Sequence, residues 1–280
     1  MSCPDCFKGA VLDGEPTGSI VASQDGAYFA PGNGDTKRAI ILLTDIFGLP
    51  LKNSKILADS FAQHLGCDVW VPDLFAGHPP LRVEQMQGVP ERAGLKLGFF
   101  GLLKVIWGAL PSIPALYRNR AAVADPRLIS WVEKLQESKK YEKLGAIGYC
   151  YGGGVATRVG ATTDLFQSIV LAHPSPPSDA HLRAIKAPTA WSAAEEDMGI
   201  KAARMNEIEA LYAGRKGKAD FVEYEIKTYK GTRKMMLMLI LASPAHGFAA
   251  RPNFEYPEVK EGFEQAFKQA VEWFNKTLPV

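Results

Sequence analysis

The chain has 280 residues, 47% of them hydrophobic, so it is long enough to bury a large core as a single α/β domain. Lys and Arg total 32 against 30 Asp and Glu, and a net charge of +2 gives no electrostatic indication of nucleic acid or an anionic membrane as a partner. Four cysteines in a chain of this length exclude a disulfide-based scaffold. We predict one domain over residues 1–280.

The N-terminal segment predicts a cytoplasmic location and no metal. Its first ten residues are polar and charged, unlike the apolar run of a secretory signal peptide. Cys3 and Cys6 form a C-x-x-C pair, but a structural zinc site needs two more ligands and no second pair exists. We expect surface thiols there, and no cofactor.

Residues 97–110 form the longest apolar stretch, which is shorter than a membrane span of roughly 20 residues and predicts a core or lid helix.

Strands and helices alternate along the chain. A hairpin is expected around Asp25-Gly26, and residues 39–44 form the continuous apolar run that is typical of a strand buried on both faces. Further strands are predicted over 68–71, 144–147, 167–171, 187–193 and 221–229, and helices over 53–65, 118–137 with a possible division at Pro126, 153–159, 202–212 and 259–274. This alternation predicts an α/β fold with a mostly parallel sheet flanked by helices and a functional site at the carboxyl ends of its strands.

A glycine-flanked cysteine lies at the centre of the chain, in Gly148-Tyr149-Cys150-Tyr151-Gly152. The spacing is that of a nucleophile elbow, in which glycines two residues on either side let a strand and a helix pass closely around a strained nucleophile. The helix that follows would direct its first N–H groups at an oxyanion. The five-residue pattern alone is weak, and a buried structural cysteine is the alternative.

A cysteine nucleophile needs a base and a carboxylate that orients the base. In the chain order nucleophile, acid, histidine, Asp197 follows a predicted strand after Cys150, and His246 comes just before the last helix. Glu195 or Glu196 could replace Asp197 as the acid. The other histidines fit this order less well: His64, His78, His173 and His181.

Taken together, these motifs resemble the dienelactone hydrolases, specifically their fungal members. The matching segments are residues 3–6, 44–48, 71–74, 148–153, 196–197 and 246–248. The resemblance implies an α/β-hydrolase fold whose Cys-His-Asp triad opens lactone or ester bonds through an acyl-cysteine. It makes Cys150 the nucleophile, His246 the base and Asp197 its partner, and it assigns the oxyanion hole to the N–H groups of Ile46 and Tyr151.

Three features depart from that family's pattern. Asp45 stands where bacterial members have a glutamate, and Arg251 is the counterpart, offset by one residue, of an arginine that binds the substrate carboxylate. An exposed structural arginine is the alternative for Arg251. Residues 233–245 form an apolar insertion between Gly231-Thr232 and His246, where relatives pass almost directly from one motif to the other. Either the insertion is genuine or it is a translated intron, and sequencing of the spliced transcript distinguishes the two.

Two other classes of protein are alternatives to a hydrolase of small esters or lactones. One is a catalytically silent protein of the same fold that binds a small ligand or a partner, with the insertion having displaced the base. The other is a nucleotide-binding protein, which is disfavoured because residues 148–154 lack G-x-G-x-x-G and no acidic residue ends the following strand at Leu171.

Overall fold

The computed structural model describes residues 11–33, 37–82, 107, 110–197, 199–234 and 247–279. Four sequence predictions fall wholly or mostly outside these residues: the Cys3 and Cys6 pair, most of the helix over 97–110, most of the insertion over 233–245, and His246. In the part of the chain that is described, no helix combines the length and the apolar character needed to cross a membrane.

Eight strands form one sheet in the order β1-β2-β4-β3-β5-β6-β7-β8. Their bounds are β1 Ser19–Val21, β2 Ala27–Ala30, β3 Arg38–Leu43, β4 Asp68–Val71, β5 Lys143–Tyr149, β6 Ser168–Ala172, β7 Thr189–Asp197 and β8 Tyr224–Lys234. The β1–β2 hairpin is antiparallel and β2 pairs antiparallel with β4, whereas all pairs from β4 to β8 are parallel. The predicted mostly parallel sheet is confirmed.

Helices cover both faces of this sheet. Those described are α1 Asn53–Leu65, α2 Ile113–Arg118, α3 Ala121–Lys139, α4 Tyr151–Thr162, α5 Asp179–Ala184, α6 Ala202–Ala213 and α7 Pro257–Thr277. The helix predicted over 118–137 is largely confirmed, although Arg118 belongs to the end of α2 and the possible division at Pro126 does not occur. The helix α3 begins at Ala121, after a turn, and runs unbroken through Pro126. A proline in the second turn removes only the hydrogen bond to the carbonyl of Ala122, and the packed apolar face of α3 compensates for that loss.

The buried faces explain why the central strands are apolar throughout. In β3, Ile40 and Leu42 pack in the layer of α1 and α7, whereas Ile41 and Leu43 pack in the layer of α3, α4 and α6. Successive side chains of a strand point to opposite faces, so a strand covered on both faces requires a continuous hydrophobic run. Because these strands all end at one edge, the loops that follow them meet there.

Two strands are longer than the sequence predicts. Residues 194–197 were expected to form a loop, but β7 continues to Asp197, which pairs with Lys234 of β8 after an irregularity between Ala194 and Glu196. The parallel partner strand supplies hydrogen bonds that carry β7 beyond its apolar segment. The first two residues of the 233–245 insertion are accordingly the last two of β8.

Candidate active site

The turn between β5 and α4 has the geometry of a nucleophile elbow. Cys150 has φ +50° and ψ −108°, a conformation that costs a non-glycine residue about 1–3 kcal/mol. A Cβ on Gly148 would lie 2.5 Å from the carbonyl oxygen of Gly152, and one on Gly152 would lie 2.3 Å from the carbonyl oxygen of Leu43. Both glycines are therefore required by the close passage of strand and helix, as the spacing predicts.

Hydrogen bonds from neighbouring loops hold Cys150 in this strained conformation. Its N–H donates to the carbonyl oxygen of Ala172 at 3.1 Å, and its own carbonyl oxygen accepts from the N–H groups of Ser175 at 3.0 Å and Gly154 at 3.2 Å. The side chain is buried, with the residue 8% exposed, and it stands directly before the first turn of α4. The unpaired N–H groups of a helix N-terminus favour negative charge, so this position favours a thiolate.

The carboxylate of Asp197 is buried and oriented by the backbone. One of its oxygens, Oδ1, accepts hydrogen bonds from the N–H groups of Gly199 at 2.7 Å and Ile200 at 3.0 Å, and the residue is 7% exposed. Its two rivals, Glu195 and Glu196, are both exposed, and Glu195 accepts a hydrogen bond from the N–H of Gly231. Asp197 is therefore the buried one of the three acids, and backbone N–H groups fix the orientation of its carboxylate.

A tight turn follows His246, which itself lies outside the described residues. The carbonyl oxygen of Gly247 accepts from the N–H groups of Ala250 at 3.0 Å and Arg251 at 2.9 Å. Phe248 and Arg251 of this turn are each 2% exposed. The turn directs Arg251 into the protein, so the alternative of an exposed structural arginine was wrong.

Asp45 and Arg251 form a buried ion pair. The Nε of Arg251 donates to Oδ2 of Asp45 at 2.9 Å, and the guanidinium lies 4.1 Å from the centre of the Phe47 ring. The second carboxylate oxygen, Oδ1, accepts from the N–H of Phe47 at 3.0 Å. The pair thus ties the turn after residue 246 to the loop after β3. This contact has no signal in the sequence, because 206 residues separate Asp45 from Arg251.

Ile46 and Tyr151 lie together beside the elbow. The N–H of Gly152 donates to the carbonyl oxygen of Thr44 at 3.0 Å and so joins the loop after β3 to the start of α4. Ile46 is buried in a small cluster against which the Tyr151 ring packs. The Tyr151 hydroxyl donates to the carbonyl oxygen of Asn119 at 2.6 Å, and burial raises the pKa of Tyr151 to about 12, so this phenol stays neutral near pH 7.

Comparison with known proteins identifies the family. The model of the dienelactone hydrolase family matches residues 25–278. The chain belongs to this family. It is a fungal-type member: hydrolase pyvD of Aspergillus violaceofuscus is 30% identical over 98% of this chain and 96% of its own length, and hydrolase tropI of Talaromyces stipitatus is 29% identical over 99% and 96%. The human carboxymethylenebutenolidase homolog is 25% identical over 90% of this chain and 87% of its own length.

Solved structures agree on the fold. The crystal structure of a putative dienelactone hydrolase from Klebsiella pneumoniae has a TM-score of 0.61 at 13% identity, over 89% of this chain and 92% of that one. The dienelactone hydrolase-like phosphotriesterase P91 has a TM-score of 0.54 at 16% identity, over 90% and 92%. The predicted α/β-hydrolase fold is confirmed. Membership of the dienelactone hydrolase family makes the chain a carboxylic ester or lactone hydrolase and disfavours the catalytically silent alternative.

A buried histidine, His173, also lies beside the elbow, although the chain order made it a weaker candidate for the base. His173 directly follows β6, the strand beside β5, and it is 0% exposed with φ +38°. Its ring lies between those of Tyr149, at 6.1 Å, and Phe248, at 5.6 Å. The one sequence signal for His173 is its place after the strand that pairs with the elbow strand, since parallel strands end at a common edge.

Gly152→Ala is expected to lower the free energy of unfolding by about 1–3 kcal/mol and to abolish most of the hydrolytic activity. A methyl group there would overlap the carbonyl oxygen of Leu43, which is backbone and cannot rotate away. Urea unfolding and ester hydrolysis measure the two effects. Gly66→Ala is the matched control, because Gly66 has open space and only a positive φ of 64°, so it should cost about 1 kcal/mol and spare the turnover number. Equal activity in the two variants would contradict the steric account.

Proposed function

We propose that this chain hydrolyses small esters and lactones, dienelactone-like compounds among them, through a triad of Cys150, His246 and Asp197 and an acyl-cysteine intermediate. The observation that carries the proposal is the elbow: a buried thiol, held in a strained conformation by three backbone hydrogen bonds, at the N-terminus of α4. A structural cysteine needs neither a positive φ nor glycines at both flanking positions.

The first half of the reaction forms the thioester. The thiolate sulfur of Cys150 attacks the carbonyl carbon, and the carbonyl oxygen takes the negative charge as an oxyanion near the N–H groups of Ile46 and Tyr151. Collapse re-forms the C=O bond and breaks the C–O bond to the leaving oxygen, which receives a proton from His246. In a lactone the leaving oxygen stays attached to the acyl chain, so the ring opens while the product remains bound to the sulfur.

The second half consumes water. His246 takes a proton from a water molecule whose oxygen attacks the thioester carbon, and collapse of the second oxyanion breaks the C–S bond and restores the thiolate. Asp197 orients the imidazole of His246 and stabilises its cationic form. Support for Asp197 comes from its burial and from the two backbone N–H groups that fix its carboxylate.

Asp45 and Arg251 complete the proposed substrate site. The loop that carries the Ile46 N–H is anchored through Phe47, whose N–H is bonded to Asp45 and whose ring lies under the guanidinium of Arg251. A substrate carboxylate that binds Arg251 would compete with Asp45 for the same guanidinium. In the proposed site an acidic substrate therefore binds Arg251 by displacing Asp45 from the guanidinium.

We also propose that the chain folds as a single domain and that the protein is cytoplasmic. The eight strands form one sheet, with helices packed on both faces, which supports one domain. Cys67 and Cys150 are thiols and not half-cystines, and a thiol nucleophile persists best in a reducing compartment.

Trapping the acyl-enzyme tests the mechanism. Rapid mixing with p-nitrophenyl acetate at neutral pH should release a burst of one p-nitrophenolate per protein, and acid quenching should leave one acetyl group on the peptide that contains Cys150. Hydrolysis of a dienelactone is measured in parallel. Steady turnover without any acetyl group on Cys150, or with the acetyl group on another residue, would contradict the proposal.

A further inference from the structure

The buried imidazole of His173 has no role in the triad, yet it lies between the two parts that the proposed mechanism must bring together. We propose that His173 is a positioning residue: its ring sets the distance between the elbow at Cys150 and the turn that begins at Gly247, directly after His246. This inference rests on the proposed function, since it concerns the alignment of the proposed base.

On one side, the segment of residues 172–175 is bonded to the nucleophile's own backbone. The carbonyl oxygen of Ala172 accepts from the N–H of Cys150, and the N–H of Ser175 donates to the carbonyl oxygen of Cys150. The N–H of His173 donates to the carbonyl oxygen of Ser192 at 2.9 Å, which fixes the segment to β7. Two backbone hydrogen bonds therefore fix the segment that carries His173 to Cys150, and a third fixes it to β7.

On the other side, the ring of His173 contacts Gly247 where a side chain would be. A Cβ on Gly247 would lie 2.0 Å from Nε2 and 2.7 Å from both Cδ2 and Cε1 of His173. The obstacle to a side chain at Gly247 is the ring of His173. Glycine at 247 and histidine at 173 are thus complementary in shape.

The ring cannot move away to relieve a change at Gly247. Its residue is 0% exposed, and the rings of Tyr149 and Phe248 flank it. A positive φ is unfavourable for a residue other than glycine, so contacts with the surrounding protein hold the backbone of His173 in this conformation. A displacement of about 1 Å at a catalytic group can cost on the order of 100-fold in rate. Loss of this contact should therefore act through the position of His246.

Three variants test the contact: His173→Ala, Gly247→Ala, and the two combined. Gly247→Ala should lower kcat for a neutral activated ester by on the order of 100-fold, with KM little changed, because the added methyl group overlaps the ring. His173→Ala should lower kcat by about 10-fold to 100-fold. Combining them gives the new methyl group the space that the ring has left, so the double variant should exceed Gly247→Ala alone by about 10-fold or more in kcat.

A second measurement separates positioning from general destabilisation. The rate of alkylation of Cys150 by iodoacetamide, followed against pH, reports the ionisation of the thiol. His173→Ala should move the midpoint upward, towards about 8.5, the pKa of an unperturbed thiol. An unchanged midpoint together with an unchanged kcat would overturn the inference, even if the variant unfolds at lower urea concentration. A double variant no better than Gly247→Ala, with both folded by near-UV circular dichroism, would also overturn it.

His246→Ala, assayed in parallel, keeps this inference distinct from the proposed function. If His246→Ala leaves both kcat and the alkylation midpoint unchanged, the proposed triad fails. If His246→Ala changes both and His173→Ala changes neither, the triad stands and only the positioning role of His173 is overturned.

Discussion

Cys150→Ala is expected to lower kcat/KM for an activated ester by on the order of 10⁴-fold or more, because in the proposed mechanism its sulfur forms the acyl bond. Stopped-flow and steady-state hydrolysis should show that the burst disappears with the turnover. The fold should persist, since the elbow is held by backbone hydrogen bonds to Ala172, Ser175 and Gly154 that alanine retains. Residual turnover would come from substrate binding and the proposed oxyanion hole.

Cys67 is the matched control for that experiment. It is the other free cysteine of the described residues, it is buried, and burial raises the pKa of its thiol to about 11, so it stays protonated near pH 7. Cys67→Ala should leave kcat/KM within about twofold, and iodoacetamide should modify Cys150 far faster than Cys67. Activity that is lost in Cys67→Ala and kept in Cys150→Ala would reverse the assignment of the nucleophile.

Asp45→Asn is expected to lower the free energy of unfolding by about 3–5 kcal/mol, since it leaves the charge of Arg251 buried without its carboxylate. The side chains of the pair are only 7% and 1% exposed. Asparagine keeps the oxygen that accepts from the N–H of Phe47, but its NH2 group replaces the oxygen that accepts from Arg251, so the variant removes the ion pair together with its hydrogen bond. Urea unfolding at neutral pH measures the loss, and Asp45→Asn combined with Arg251→Met should recover a large part of it.

The pair of Asp125 and Arg158 provides a control of the same chemistry with more solvent. Its side chains are 18% and 24% exposed, and Asp125→Asn should cost about 1 kcal/mol or less. If Asp125→Asn and Asp45→Asn cost the same, burial does not govern the strength of the Asp45 pair. In the folded Asp45→Asn variant, KM for a substrate with a carboxylate should fall relative to KM for a neutral ester, because the competitor for Arg251 has lost its charge.

Sequence patterns were sufficient for the architecture and for the elbow. The helix over 53–65 and the strand over 68–71 begin and end where the periodicity and the turn residues predict. The elbow can also be predicted from the sequence, because its backbone has no room for a Cβ at positions 148 and 152. Both positions must therefore be glycine, two residues on either side of Cys150. Strand ends were less predictable: β7 reaches Asp197 because β8 pairs with it, and that pairing has no local signature.

What the sequence by itself determined is therefore the set of elements, their mostly parallel arrangement and the residues of the elbow, since each depends on side chains close together in the chain. The tertiary structure alone decided the contacts across the site: the ion pair of Asp45 with Arg251 and the packing of His173 against Gly247. Both join loops far apart in sequence that meet because parallel strands end at the same edge of the sheet. Periodicity carries no information on which side chains will touch there, since that depends on register, twist and the space that neighbouring rings leave.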